Sequence, residues 1–366
     1  GAVEMCNNNG ACRKLTAGVM CPSYRVTRNE RDVTRGRANA LRLAISGQLG
    51  PDAFAGDDML EAMKLCVSCK GCRRECPTGV DMARMKIEVM AARARAKGSS
   101  LHDRLVAYMP HYGPYLAKVP WLANARDAVP GLAKALEGIT GFAAGRRLPA
   151  WSGSPFADAE AAGGDRPDCV LFADTFNRYF EPENLRAAIT VLKAGGFEPQ
   201  VATPPERARP LCCGRTFLAS GLVDQATAEA KRLVAALLPF AQAGLPIISL
   251  EPSCLLSLRD EIPALLPGAE AEVVAQYAVL FEEFAAGQSR MLELPLQKSD
   301  QCILVHGHCH QKSFGLMSDV ECTLKLLPGA NVGIIASGCC GMAGAFGYGK
   351  DTHETSMQMG GLDLFP

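Results

Sequence analysis

Aromatic side chains are scarce in this 366-residue chain, with two tryptophans and 6% Phe, Trp and Tyr together. Its basic residues are not interleaved with aromatics in any recognised binding motif, which argues against a nucleic-acid partner. Long apolar runs are missing as well. The most apolar window, 233–250, is broken by Pro239, Gln242, Gly244 and Pro246 and does not read as a spanning helix. Membrane contact is expected to be peripheral at most. The first residues do not read as a secretory signal, and Gly1 in place of an initiator Met suggests a processed product or a fragment. The chain shows no dinucleotide fingerprint, no flavin-binding sequence and no nucleophile–base pair. The piece GAFGYGK at 344–350 lacks the strand–loop–helix order of a phosphate loop.

Cysteine is abundant: there are sixteen. They cluster at metal-ligand spacings and do not read as a secreted disulfide framework. Thiolate ligands need a reducing compartment, which places the protein in the cytoplasm, with membrane association left open. Cys66, Cys69, Cys72 and Cys76 stand in CVSCKGCRRECP, or C-x2-C-x2-C-x3-C-P, the spacing of bacterial ferredoxins. Three thiolates two residues apart can wrap one cubane, and the fourth, before Pro77, usually serves a second cluster. A structural zinc site is the competing reading, although zinc ribbons usually separate their CxxC pairs by a longer stretch.

Upstream, CNNNGAC and Cys21-Pro22 form a damaged counterpart. Cys6 and Cys12 take the first and third places of the standard run, and Asn9 stands in the middle. By the pairing rule, Cys66, Cys69, Cys72 and Cys21 hold one complete [4Fe–4S] cluster. Cys6, Cys12 and Cys76 remain for a second site that lacks a ligand. That site could hold a [3Fe–4S] cluster, a cubane with a non-cysteine ligand, or nothing. Asn is a poor ligand for iron in a thiolate setting.

Zero net charge conceals an uneven spread. Residues 1–150 carry 23 Lys+Arg against 13 Asp+Glu, and residues 151–366 carry 15 against 25. This reads either as two differently charged solvated surfaces or as a basic region that docks an acidic electron-transfer partner. Residues 1–100 read as a helical ferredoxin-type domain, with helices at 34–49, 56–65 and 82–97 and Asp81 as an N-cap. A Pro-broken helical connector and a linker fill 101–168. From 169 onward short apolar strands alternate with helices, as in an α/β domain with a mostly parallel sheet. Strands are expected at 169–173, 198–202, 247–250, 302–306 and 332–336. Helices are expected at 184–194, 226–242, 270–285 and 318–327.

This α/β region contains a repeat. Cys212-Cys213-Gly214 recurs as Cys339-Cys340-Gly341. The first copy, 169–300, includes Cys254; the second, 301–366, looks cut short. Glycine after each cysteine pair allows a tight turn. Cys212, Cys213, Cys254, Cys309, Cys339 and Cys340 fall at loops or strand ends, where ligand sites of α/β sheets assemble. His306, His308 and His310 flank Cys309 and could add imidazole ligands. The functional reading is a metal or iron–sulfur site between the halves. Buried free thiols are the plain alternative, and a redox-active vicinal disulfide is a third. Cys169, Cys302 and Cys322 read as core. His102, His111 and His353 show no partner pattern.

A ferredoxin-type region followed by two CCG repeats resembles the glycolate oxidase iron–sulfur subunit, the anaerobic glycerol-3-phosphate dehydrogenase C subunit and the heterodisulfide reductase B subunit. CNNNGACRK, MCPSYRVTRNERDVTRGRANALR, EPSCLLSLRDE, HGHCHQKS and SGCCGMAGAFGY are closer still to the iron–sulfur half of FAD-linked D-2-hydroxy acid dehydrogenases, such as the D-2-hydroxyglutarate and D-lactate enzymes. This resemblance implies an electron-transfer module that passes electrons from FAD, on a missing domain or partner, to a quinone or soluble acceptor. It departs from the full CCG pattern: Asp174 or Thr175 stands near one lead-cysteine place, and Cys254 and Ser257 form the first trailing pair. A single iron or zinc ion on a subset of Cys213, Cys254, Cys309, Cys340 and a His is then expected in place of a noncubane cluster. Two alternatives are a thiol/disulfide oxidoreductase acting at the CCG cysteines and a regulatory or assembly module with structural clusters.

Overall fold

The computed structural model describes residues 1–16, 18–161, 166–204, 206 and 209–365. Among the described residues of the first hundred, five α-helices form: α1 (Pro22–Thr27), α2 (Thr34–Ile45), α3 (Asp57–Lys64), α4 (Gly71–Glu75) and α5 (Met82–Lys97). Ala38, Leu41 and Ala44 recur at helical spacing along α2. They pack on Met59 and Met63 of α3 and Met85 and Val89 of α5. Flexible methionines dominate this core, as suits packing around irregular cysteine loops. Asp81 caps α5 as expected, accepting from the Arg84 N–H at 3.1 Å. The helix predicted over 34–49 stops at Ile45.

Five short helices follow: α6 (Leu101–Ala107), α7 (Met109–Leu116), α8 (Pro120–Ala123), α9 (Ala125–Ala128) and α10 (Leu132–Thr140). Pro110 and Pro120 lie at helix starts, where no N–H is needed. The stretch read as a linker is packed where it is described. Phe156 and Ala161 are buried, and Trp151 lies 4.6 Å from the Phe180 ring. Residues 162–165 of that stretch lie outside the described residues.

Strands β1 (Cys169–Leu171), β2 (Pro199–Val201), β3 (Ile247–Ser249) and β4 (Ala278–Leu280) make a parallel sheet in the order β2-β1-β3-β4. Around them lie α11 (Thr175–Tyr179), α12 (Pro182–Ala194), α13 (Arg215–Ala219), α14 (Val223–Gln242), α15 (Pro252–Arg259), α16 (Glu261–Leu265), α17 (Ala269–Tyr277) and α18 (Phe281–Gly287). β1 and β3 are fully buried, in keeping with the apolar run of β1 and of Ile247 and Ile248 in β3. The single helix predicted for 270–285 is a correction: β4 divides it. An apolar run such as Ala278–Leu280 suits either state, and its parallel pairing with β3 decides.

Beyond them, β5 (Cys302–Val305) and β6 (Asn331–Ile334) form a separate two-stranded parallel sheet. It is joined by α19 (Cys309–Phe314), α20 (Met317–Leu324) and α21 (His353–Gly360). Here the strands are half-exposed, and Leu304 is 68% exposed. Cys302 and Cys322, expected in a core, are therefore exposed, because one face of this narrow sheet is bare and Cys322 lies on the outer side of α20; Cys169 is buried as expected. Among the described residues no helix is long and apolar enough to cross a membrane.

Candidate iron–sulfur site and the cysteine loops beside it

Cys21 is the N-cap of α1, held by Pro22 at the first helical position. Cys66 and Cys69 lie in the loop from α3 to α4, and Cys72 lies in the first turn of α4. Ser68 and Lys70 take left-handed backbone angles (φ 51° and 58°), which bend this loop around a centre. All four cysteines line one cavity with about 320 Å³ of atom-free space, part of it open to solvent. Thr34, Arg37 and Met82 complete its wall. A tetrahedral ion would need its ligands gathered at about 2.3 Å from one point. Among the described residues no three or more His, Cys, Asp or Glu side chains converge so. Four thiols spread around a cavity suit a polynuclear cluster.

The surroundings are cationic. Arg37 donates to the Ala62 carbonyl (2.9 Å) and Ser23 Oγ (3.0 Å), and its Nη1 lies 3.5 Å from Cys21 Sγ. Burial opposes its charge, but Cys66 and Cys21 outweigh that and hold its pKa above the ordinary value. Lys86 Nζ donates to the Cys66 carbonyl at 2.5 Å; burial pulls its pKa down. Burial also pushes the Cys72 thiol up to about 12 and the Cys69 thiol well up, so without a metal these groups stay protonated.

Cys6 and Cys12 are buried in the same core, with Cys76 half-buried against them. Asn9 is tied into an Asx turn: its N–H and Nδ2 donate to Asn7 Oδ1 (3.2 and 2.6 Å), while its Oδ1 accepts from the Ala11 N–H (2.8 Å). Burial would raise the Cys76 thiol, but hydrogen bonds with Thr78, the Val80 backbone and Asn9 hold it below its usual value. The residue in place of the middle cysteine thus faces Cys76.

The two CCG loops share one turn. Cys212 Sγ accepts from the Gly214 N–H (3.4 Å) and Cys339 Sγ from the Gly341 N–H (3.3 Å). Both glycines have positive φ, +78° and +81°. A Cβ on Gly214 would sit 3.0 Å from the Ala226 carbonyl oxygen, and one on Gly341 would overlap that of Ser356 outright. Cys213 Sγ lies 3.1 Å from Cys254 Sγ at the start of α15. Buried Asp174 and half-buried Glu251 stand near this pair, and burial raises Asp174 to about 6. Asp174, named for the lead-cysteine place, is the N-cap of α11; Ser257 is engaged with the Ser253 carbonyl (2.7 Å).

In the second loop the free thiols of Cys309 and Cys339 are neighbours. Their interaction holds the Cys339 thiol below its ordinary value and the Cys309 thiol well above it. Cys340 lies close by, half-buried. His308 Nδ1 caps α19 by accepting from the His310 N–H (3.1 Å), and its Nε2 meets Ser253 Oγ at 3.3 Å. Burial lowers its pKa to about 4. His310 Nε2 lies 3.1 Å from the Ser68 carbonyl and 3.3 Å from Arg215 Nη2, and burial holds its pKa well down. His306 Nδ1 lies 2.6 Å from Ser337 Oγ. The structure thus gathers Cys212, Cys213 and Cys254 at one loop and Cys309, Cys339 and Cys340 at the other, with no single-ion set among the described residues.

These loops press on the cluster loop. Ser313 Oγ donates to the Cys69 carbonyl (2.7 Å), and Cys339 is close enough to help raise the Cys69 thiol. Lys70, 2% exposed, pairs with Asp260 and with Glu261 (2.7 Å). Arg73 (2.7 Å) and Arg84 also hold Asp260, and Arg215 holds Glu261 (2.6 Å). Arg25 forms a bidentate pair with Asp363 (2.6 and 2.7 Å). Part of the opposite charge of the two halves is therefore neutralised within the chain. Sequence reasoning missed this clamp; the only trace was an acidic pair ending the apolar run of EPSCLLSLRDE. It also missed His111 beside Glu229 (3.1 Å) and His102 on the Thr140 carbonyl (3.2 Å).

Residues 2–80 match the 4Fe-4S dicluster domain. Over 98% of its length the chain is 23% identical to the D-2-hydroxyglutarate dehydrogenase of Escherichia coli K12, of which it covers 39%. It is 24% identical over its whole length to that of Pantoea ananatis, covering 40%. Over 75% of its length it is 26% identical to the C subunit of the anaerobic glycerol-3-phosphate dehydrogenase of E. coli K12, covering 71% of that polypeptide. It thus spans about two fifths of the D-2-hydroxyglutarate dehydrogenases it matches. No solved structure gives a significant match. The chain carries a 4Fe–4S dicluster region and is a homologue of these oxidoreductases.

Proposed function

We propose that this chain is the electron-transfer portion of a flavin-dependent D-2-hydroxy acid dehydrogenase. FAD would sit on another region or subunit, and a quinone or soluble carrier would take the electrons. The observation that carries this reading is the joint lining of one cavity by Cys21, Cys66, Cys69 and Cys72 inside the dicluster match. A bound [4Fe–4S] cluster supplies one-electron transfer with little reorganisation. The chain's own work is to hold four thiolates in place, to exclude water with Met20 and Met82, and to set the local charge with buried cations. Cys6, Cys12 and Cys76 would hold the second centre, with Asn9 beside it. The two CCG repeats would bring their cysteines against the cluster loop as the next station.

To test this, the protein is purified without oxygen, assayed for iron, sulfide and zinc, reduced with dithionite and mixed with a water-soluble quinone. About four iron per chain with matching sulfide, and reoxidation by the quinone, are expected; near-zero iron with zinc present contradicts the reading. About seven or eight iron would mean that the three-cysteine site is filled as well.

The contact of Cys213 with Cys254 favours a second reading, in which the CCG cysteines form a thiol–disulfide site. Disulfide turnover that disappears in Cys213→Ser would support it.

A further inference from the structure

We infer that Arg37 and Lys86 form a cationic cradle that raises the reduction potential of the cluster held by Cys21, Cys66, Cys69 and Cys72. This inference rests on the cluster assignment proposed above. Arg37 is 1% exposed, and its guanidinium is fixed by the Ala62 carbonyl, Ser23 Oγ and Cys21 Sγ. Lys86 comes from α5 and donates to the carbonyl of Cys66, itself part of the cavity wall. Among the described residues neither cation forms an ion pair with a carboxylate. Asp32, a buried acid whose charge also favours the Arg37 cation, makes its direct ion pair with Arg31 at 3.7 Å.

A buried charge without a direct counter-ion is costly. Arg37, buried, and Lys86, half-buried, flank two cysteines of one quartet and call for an anion at the centre. Four thiolates around a cluster supply it, and the centre becomes more negative when it accepts an electron. Fixed positive charges therefore favour the reduced state over the oxidised one. The N–H of Arg37 directed at Cys21 Sγ acts in the same sense. Arg37 is a positioning residue here: it makes the cluster a better acceptor for electrons leaving a flavin.

The test is a redox titration of the anaerobically purified protein followed by electron paramagnetic resonance, for wild type, Arg37→Gln and Arg37→Lys. Gln keeps a donor and loses the charge. The expected result is a lower midpoint potential for Arg37→Gln with iron content unchanged, and recovery of most of the shift in Arg37→Lys. A wild-type midpoint in an Arg37→Gln protein with full iron overturns the inference. If Arg37→Gln does not assemble a cluster, Lys86→Gln is titrated instead: a lowered midpoint supports the cradle and an unmoved one overturns it. A wild-type protein with no iron–sulfur signal rejects the cluster assignment itself, before any variant is compared.

Discussion

Four cysteines of the first hundred residues surround a space, whereas those of the CCG loops lie against one another. Cys21, Cys66, Cys69 and Cys72 line a cavity. Cys213 lies 3.1 Å from Cys254, and the free thiols of Cys309 and Cys339 are neighbours. Both regions are buried and both are built on tight turns. The difference is in what the backbone does between ligands. Two left-handed residues in one short loop bend it so that Cys66, Cys69 and Cys72 line one cavity. In each CCG loop the glycine folds the chain back, and its N–H occupies the first cysteine. Cysteine count alone does not separate a cluster socket from a thiol pair; the loop geometry does.

Removing one thiol from each region should separate them most clearly. Cys69→Ser is expected to lose most of the bound iron, read by iron and sulfide analysis. Cys213→Ser is expected to leave the iron bound by the first region unchanged. Equal losses would mean that the two regions share one centre.

The clamp between the regions should give the next largest effect. Lys70→Met leaves Asp260 and Glu261 buried with one partner fewer, and truncating one member of a buried ion pair costs about 3–5 kcal/mol. Urea denaturation would measure this, and a loss below about 1 kcal/mol would contradict a buried clamp.

Glu261 makes the clamp pH-dependent. Burial alone would raise its pKa, but Arg215 and Lys70 pull it down to about 2 from 4.5. The unfolded chain therefore binds more protons between these values, and stability rises with pH across that window. The contribution, about 3 kcal/mol, is complete above pH 4.5 and is lost as pH falls toward 2. The gap in urea midpoint between wild type and Glu261→Gln should narrow from about pH 5 to about pH 3; a constant gap contradicts the assignment.

The smallest effect separates the two CCG turns. Alanine at a positive-φ glycine costs more than about 1 kcal/mol. Gly341→Ala should cost more than Gly214→Ala, because its Cβ overlaps the Ser356 carbonyl, whereas that on Gly214 meets its neighbour at 3.0 Å. Thermal unfolding of the two variants would show the order.

The cysteine runs were legible because ligand spacing is local: Cys66, Cys69 and Cys72 need only their own loop. The gathering of Cys21 into the same cavity followed from the ferredoxin pairing pattern. Strands β1, β2, β3, β5 and β6 were legible as short apolar runs between turn signals. β4 was not, because Ala278–Leu280 continues a helical pattern and only its pairing with β3 makes it a strand. The exposure of Cys302 and Cys322 was hidden for the same reason: an apolar context marks a core only where another layer covers it. The clamp from Lys70 to Asp260 joins residues 190 apart in sequence, and local periodicity carries no trace of it.

The most direct test is the iron content of Cys21→Ser beside that of Cys76→Ser, both purified without oxygen. Cys21→Ser is expected to lose the four-iron cluster and Cys76→Ser to keep it. The reverse would make Cys76 the fourth ligand of its own run and would contradict the crossed pairing on which the site is built.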